Sequence, residues 1–425
     1  MPTLTSDTRL PSWILSPFLR GLRPPAAFSS GVELEFLVVD SATHTMAHYE
    51  GERGIGSLLH SLRAEHGWTP VREGHALVGL NREGATISIE PGGAVEVATQ
   101  PHKTLDSLLA EIAELTAEVC DAAHHHSCAL LCAGYHPFET KEGVGLVPKE
   151  RYHLMYPLMA RTGSLGQEMM KLTASIQVTL DFSSEEDAMR KYALACRLIP
   201  IFIALSANSP FRRGSRHEYL SFRSHIWTRT DARRAGVPPF ALSDSATFSD
   251  YATWALDTPV YFLRREEKLI PQNNRTFREL LATGESLSLE DWDLHLSTLF
   301  PWIRLRNYIE IRAFDMVPPA MQRALVALVH GIFYHPDGLN PAEQIVAHLD
   351  RQSVMRLIEE AIGHGARTDN TGSSPLGSLC RRMIAVAEHG LAATHRPLLE
   401  PLRERLEHDL SQSVSLDVFV RSCLL

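Results

Sequence analysis

The run GVELEFLVVD, from Gly31 to Asp40, admits few folds. As a strand it places Val32, Leu34, Phe36 and Val38 on one face and Glu33, Glu35, Leu37 and Val39 on the other. A strand this apolar is normally buried on both faces. Two ionised carboxylates there repel each other and carry a desolvation cost of several kcal/mol, by order of magnitude, unless a cation pairs with them. Two readings follow. Either the strand is an edge with both glutamates facing water, or the pair belongs to a divalent-cation site. The other strands decide between them.

The stretch Ala85 to Thr99, ATISIEPGGAVEVAT, reads as two alternating strands around Pro91-Gly92-Gly93, a hairpin signal. A three-residue loop pairs Glu90 with Ala94 and Ser88 with Glu96. That register puts Glu90 and Glu96 on one face and Ile87, Ile89, Val95 and Val97 on the other. A two-residue loop would split the carboxylates, so the clean apolar face selects the longer loop. SIQVTLD (175–181) and NYIEIRA (307–313) share the design. Their polar faces carry Gln177 and Thr179, then Glu310 and Arg312. Glu33, Glu35, Glu90, Glu96 and Glu310 on one sheet face, with Arg312 as the one arginine among them, exceed what a structural ion-pair network balances. Oxygen donors at that density suit Mg²⁺ or Mn²⁺, and Mg²⁺ recruits substrate phosphates as further ligands. An arginine beside such ions stabilises a transferring phosphoryl group. There is no GxxxxGK[ST] loop and no kinase signature set, so phosphate would be held by metals and arginines on a sheet.

Composition narrows the class. Lys plus Arg is 41 and Asp plus Glu is 50, a formal net charge of −9, which argues against non-specific nucleic-acid binding. No apolar run reaches the length of a membrane span. Residues 1–20 lack a basic region followed by an apolar one, so no secretory leader is read and a cytoplasmic protein is expected. The six cysteines form no CxxC pair and read as reduced structural thiols. Helical patterns run over Gly54–His66, Thr104–His126 and, almost without break, from Met321 onward. His124-His125-His126 reads as a solvated helix end. Residues 208–239, rich in arginine, read as a long connection of the kind that forms a binding loop. Residues 365–374 read as a polar break.

At these residues the chain resembles the plant and proteobacterial type of glutamate–cysteine ligase. The matching blocks are GVELE (31–35), ISIEPGGAVEV (87–97), GSLGQEMM (163–170), IQVTLDFSSEEDAMRKY (176–192), LSANSPF (205–211), FRSHIWTRTD (222–231), LDTPVYFLRR (256–265) and HLSTLFPWIRLRNYIEIRAFD (295–315). The resemblance implies an α+β fold, with a curved, largely antiparallel, glutamine synthetase-like sheet as the catalytic face and helices behind it. The matching blocks place a catalytic domain over 31–320, and the pattern on either side reads as a Pro-rich lead-in (1–30) and a helical C-terminal region (321–425) packed on the same domain. The implied reaction uses ATP and Mg²⁺ to join the γ-carboxylate of glutamate to the amine of cysteine through γ-glutamyl phosphate. Small molecules are then the partners of a monomer or homodimer. By the same resemblance Glu33, Glu90 and Glu96 form one metal site, and Glu35, Gln177 and Glu310 a second, with Arg312 on the transferred phosphoryl. Arg223, Arg234, Lys171, Thr179 and Tyr261 are the implied substrate contacts. Lys171 stands where an Arg is usual, Thr179 where an Asn is, Arg229 where an Asp is, and Ala313-Phe314 where a Gly-Ala pair is. A γ-glutamyl ligase acting on another amine, or a non-catalytic binding relative, stays open.

Overall fold

The computed structural model describes residues 11–366, 375–407 and 414–425. Part of the expected lead-in (1–10) and most of the expected polar break (367–374) lie outside the described residues.

The strands in chain order are β1 (Val32–Asp40), β2 (Thr69–Glu73), β3 (Ala76–Arg82), β4 (Ala85–Ile89), β5 (Val95–Ala98), β6 (Cys128–Leu131) and β7 (Ser175–Leu180). Short pairs follow: β8 (Phe211–Arg212) with β9 (Ser215–Arg216), β10 (Ala235–Gly236) with β13 (Phe300–Pro301), and β11 (Phe262–Arg265) with β12 (Lys268–Pro271). β14 (Ile303–Leu305) and β15 (Ile309–Asp315) complete the set.

Nine strands form one antiparallel sheet in the order β14-β15-β7-β1-β5-β4-β3-β2, with β6 paired to the second half of β1. β1 is therefore central, and the edge reading of Glu33 and Glu35 falls. Alternation explains the choice. Val32, Leu34 and Phe36 on β1, Ile176 and Val178 on β7, and Ile309 and Ile311 on β15 are each 1 % exposed or less. The helices Glu185–Ser206, Pro319–Phe333 and Leu105–His125 pack on these strands. The last begins where Thr104 accepts the amide of Ser107, and it buries Leu105, Leu108, Ile112, Leu115 and Val119.

The 90–94 turn takes the expected three-residue form. Ile89 faces Val95 and Ser88 faces Glu96, while the Glu90 amide donates to Ala94 O at 2.8 Å. Gly92 lies against the backbone of Lys171, where a Cβ would collide with the carbonyl oxygen, and Gly93 has φ +94°. The reading of 208–239 as one long loop is corrected. It contains the β8–β9 hairpin, β10 and a helix, Phe222–Thr228, started by Ser221 accepting from the Ser224 amide. Its two-residue strands and seven-residue helix are too short for periodicity to register. All six cysteines are free.

Candidate functional site

Register brings the polar residues together. Across β1 and β5, Glu35 stands directly opposite Glu96, and across β1 and β7, Glu33 stands opposite Gln177. Glu310 faces Thr179 on one side and Arg304 on the other. β15 then bulges between Ile311 and Phe314, and Arg312 falls within that irregularity. Glu33, Glu35, Glu90, Glu96, Gln177 and Arg312 line one cavity of about 250 Å³.

The cavity's carboxylates are poorly compensated. Among the described residues, Glu33, Glu35, Glu90 and Glu96 make no ion pair. Glu35 accepts Gln177 Nε2 and Ser175 Oγ, each at 2.9 Å, and Glu96 accepts Ser88 Oγ at 3.2 Å. Burial first, then the charge of Glu310, pushes the Glu33 carboxyl up to about 7. Burial and then Glu90 push Glu35 up to about 7. Burial, followed by Glu33, Glu90 and Glu35, holds Glu96 well above the usual carboxylate range. Like charges directly opposite on neighbouring strands are destabilising.

Glu310 is different. It is fully buried and gripped by Arg304, with Nε to Oε2 at 2.5 Å and Nη2 to Oε1 at 2.9 Å; Arg312 Nη1 adds a contact at 3.2 Å. Burial alone would raise its carboxyl, but Arg304 and then Arg312 more than offset this and bring it down to about 2. Arg312 Nη1 also donates to Gln177 Oε1, so Arg304, Glu310, Arg312, Gln177 and Glu35 form one continuous hydrogen-bonded rail. The expectation of a single arginine beside the carboxylates is corrected, because Arg151, Arg223, Arg304 and Arg306 line the same cavity.

The donors facing the carboxylates have spare capacity. Arg223 is 2 % exposed; its Nη2 donates to Arg312 O at 3.1 Å, and its Nη1 is buried without a partner. Arg312 Nε, Arg151 Nε and Trp227 Nε1 are also buried, cavity-lining and unpartnered. Buried donors left unpaired are costly, so four at one cavity mark a place built to receive an anion.

Four expected substrate contacts lie elsewhere. Arg234 is fully buried and spends its guanidinium on Asp231 Oδ2, Thr298 O and Pro259 O, with its Cζ 3.6 Å from the centroid of the Tyr261 ring. Tyr261 lies beneath it, its hydroxyl 3.6 Å from Met159 Sδ. Lys171 turns its ammonium to Lys141 O (2.8 Å) and Val144 O (2.5 Å). Thr179 Oγ1 accepts the Gly31 amide at 2.8 Å and closes the start of β1. These four hold the scaffold. Sequence reasoning missed Arg151, Tyr152, Trp227, Arg304 and Arg306. Arg304 was the most accessible of them, since RLRNYIEI reads as a tight hairpin placing it opposite Glu310.

Among the described residues, no three His, Cys, Asp or Glu side chains close on one point as a finished cage. The donor set nevertheless suits Mg²⁺, which is usually held by one or two carboxylates plus substrate phosphates and water. One consequence concerns pH. A carboxyl raised in the folded state stabilises the protein below its unfolded value near 4.5, and that contribution is lost as pH rises through about 7. A bound dication reverses the penalty. The rise in Tm caused by millimolar Mg²⁺ or Mn²⁺, at matched ionic strength, should be larger at pH 8.5 than at pH 6. Comparing with and without cation at each pH cancels the opposite-signed buried histidines His136, His295 and His330, which burial keeps neutral. Equal shifts at both pH values would remove the cation from this face.

The antiparallel sheet with its carboxylate-lined cavity has the fold of glutamate–cysteine ligases. The crystal structure of the glutamate–cysteine ligase from Francisella tularensis in complex with AMP superimposes with a TM-score of 0.52 at 12% identity, over 92% of this chain and 83% of that one. The family model for glutamate–cysteine ligase family 2 (GCS2) matches residues 29–414, and the chain belongs to this family. It is 40% identical over 299 residues to the chloroplastic glutamate–cysteine ligase of Arabidopsis thaliana, covering 69% of this chain and 57% of that protein. With the chloroplastic glutamate–cysteine ligase B of Oryza sativa subsp. japonica it shares 36% identity over 332 residues, covering 77% and 66%. The chain thus spans less than two thirds of the length of these relatives. Their names overturn the cytoplasmic expectation. That expectation rested on the lack of a secretory pattern, which says nothing about plastid transit segments of different composition.

Proposed function

We propose that this chain is an ATP-dependent ligase that joins the γ-carboxylate of L-glutamate to the amine of L-cysteine. The observation that carries the reading is the opposition, within one cavity, of four carboxylates lacking ion pairs to four buried donors lacking partners. Mg²⁺ held by Glu33, Glu35, Glu90 and Glu96 would supply Lewis-acid charge to the phosphates of ATP. Glu310 and Gln177 border this set, and the grip of Arg304 makes Glu310 the weaker candidate ligand.

Arg223 Nη1 and Trp227 Nε1 would orient glutamate through its carboxylates, and Arg312 Nε would face the phosphoryl group in flight. The γ-carboxylate oxygen bonds to the terminal phosphorus as the bond to ADP breaks. The amine of cysteine then attacks the acyl carbon, loses a proton and expels phosphate. Residues 31–320 would carry the chemistry and 321–425 the packing behind it. The departures from the family pattern, at Lys171, Thr179, Arg229 and Ala313-Phe314, all lie outside the residues that line the cavity, which favours cysteine.

The test incubates the protein with ATP, Mg²⁺ and glutamate, with cysteine or a panel of amines, and reads ADP and product mass. ADP release requiring both glutamate and cysteine, with γ-glutamylcysteine as product, is expected. Stimulation by a different amine alone would replace the named product. No stimulation by any amine would leave a nucleotide- or glutamate-binding protein.

A further inference from the structure

The turn that carries Glu90 and Glu96 is held from outside the sheet. Lys149 Nζ donates to Ile89 O at 2.8 Å, and the Val147 amide donates to Pro91 O at 3.1 Å. Gly92 rests on the Lys171 backbone. One residue of this strap also touches a carboxylate. Tyr152, on the helix Glu150–Thr162, is 7 % exposed, lines the cavity, and has its hydroxyl 3.3 Å from both Ile89 O and Glu90 Oε1.

A phenol has one proton to donate. A carboxylate is a stronger acceptor than a carbonyl, and Ile89 O already takes the shorter bond from Lys149, so the phenol proton goes to Glu90 Oε1. Oε1 is thereby fixed, and the Glu90 carboxylate is left with one orientation in which Oε2 can serve a ligand. We infer that Tyr152 is a positioning residue that orients Glu90 for a divalent cation, with Lys149 keeping its proton directed there. The inference rests on the proposed cation site and deepens it. Outer partners that orient a ligating group commonly set metal affinity within a range of about 10–100-fold.

The experiment measures Mn²⁺ binding to the full chain by electron paramagnetic resonance, without nucleotide, in the wild type, Tyr152→Phe and Glu90→Gln. Tyr152→Phe removes one oxygen and keeps the ring. It should weaken Mn²⁺ about tenfold, with an unchanged unfolding midpoint. In turnover it should raise the KM for Mg²⁺ more than it lowers kcat, a split that a purely structural role does not give. Mn²⁺ affinity within about twofold of wild type in Tyr152→Phe, alongside a loss in Glu90→Gln, would overturn the positioning role and keep the cation site. Unchanged affinity in Glu90→Gln would remove Glu90 from the cation site, and the positioning role with it, while no Mn²⁺ binding by the wild type would overturn the cation site itself.

Discussion

Replacing Glu35 by Gln is expected to lower ADP formation by about three orders of magnitude, the loss that goes with several kcal/mol of metal-borne charge stabilisation. The fold should survive. Glutamine matches the shape of glutamate, and its carbonyl oxygen can still accept from Gln177 or Ser175, which now donate at 2.9 Å. The change removes a charge that burial and Glu90 oppose and that stands directly opposite Glu96. In cation-free buffer above pH 7 the variant should therefore unfold at a temperature equal to or above that of the wild type. Activity and stability then move in opposite directions, which separates a functional carboxylate from a structural one. ADP formation within tenfold of wild type would sink the placement of a cation at Glu35. A large drop in Tm would show that Glu35 holds the sheet together.

What the sequence disclosed follows from the period of a strand. Alternation alone put Glu33 and Glu35 on one face, and the apolar partners of Glu90 and Glu96 selected the loop that the structure has. Pairing strands that each bury one face leaves one register, so the clustering of Glu33, Glu35, Glu96 and Gln177 was legible. Side-chain direction outside regular strands was not. Tyr261 sits in a block that matches the family, and Lys171 and Arg234 lie just beyond such blocks, but a matching block does not show whether a side chain turns to the cavity or to the backbone beside it; Thr179, although on β7, spends its hydroxyl on the Gly31 amide. Lys171 turns to the 141–144 loop and Arg234 to Asp231. Trp227 lay hidden because its seven-residue helix spans barely two turns. Tyr152 arrives from a helix about 60 residues along the chain from Glu90, a contact no local pattern encodes.

A further residue escaped notice because it looked like the end of a strand. Asp315 is fully buried at the last position of β15. Its Oδ2 accepts the Asn208 amide at 2.9 Å and Ser209 Oγ at 2.6 Å, and its Oδ1 accepts Ser221 Oγ at 2.8 Å. Ser221 also caps the helix that carries Arg223 and Trp227, so one carboxylate fixes the base of the wall that holds the unpartnered donors. Burial raises the Asp315 carboxyl, and Arg223 is the largest influence holding it down. The charge of Asp315 acts in turn on the buried guanidinium groups of Arg223 and Arg405. Asp315→Asn keeps the shape but leaves these cations without that charge and sets an amide NH₂ against hydroxyl or amide donors. Among the described residues Asp315 makes hydrogen bonds rather than an ion pair, and leaving buried donors of this kind without an acceptor costs about 1–3 kcal/mol. A correspondingly lower urea midpoint with an unchanged m-value is expected. The KM for glutamate should rise as well, because Arg223 loses its fixed position. An unaltered midpoint would mean that Arg223 and Arg405 are compensated without Asp315. A lowered midpoint with an unaltered glutamate KM would detach Arg223 from substrate binding and leave it a purely structural cation.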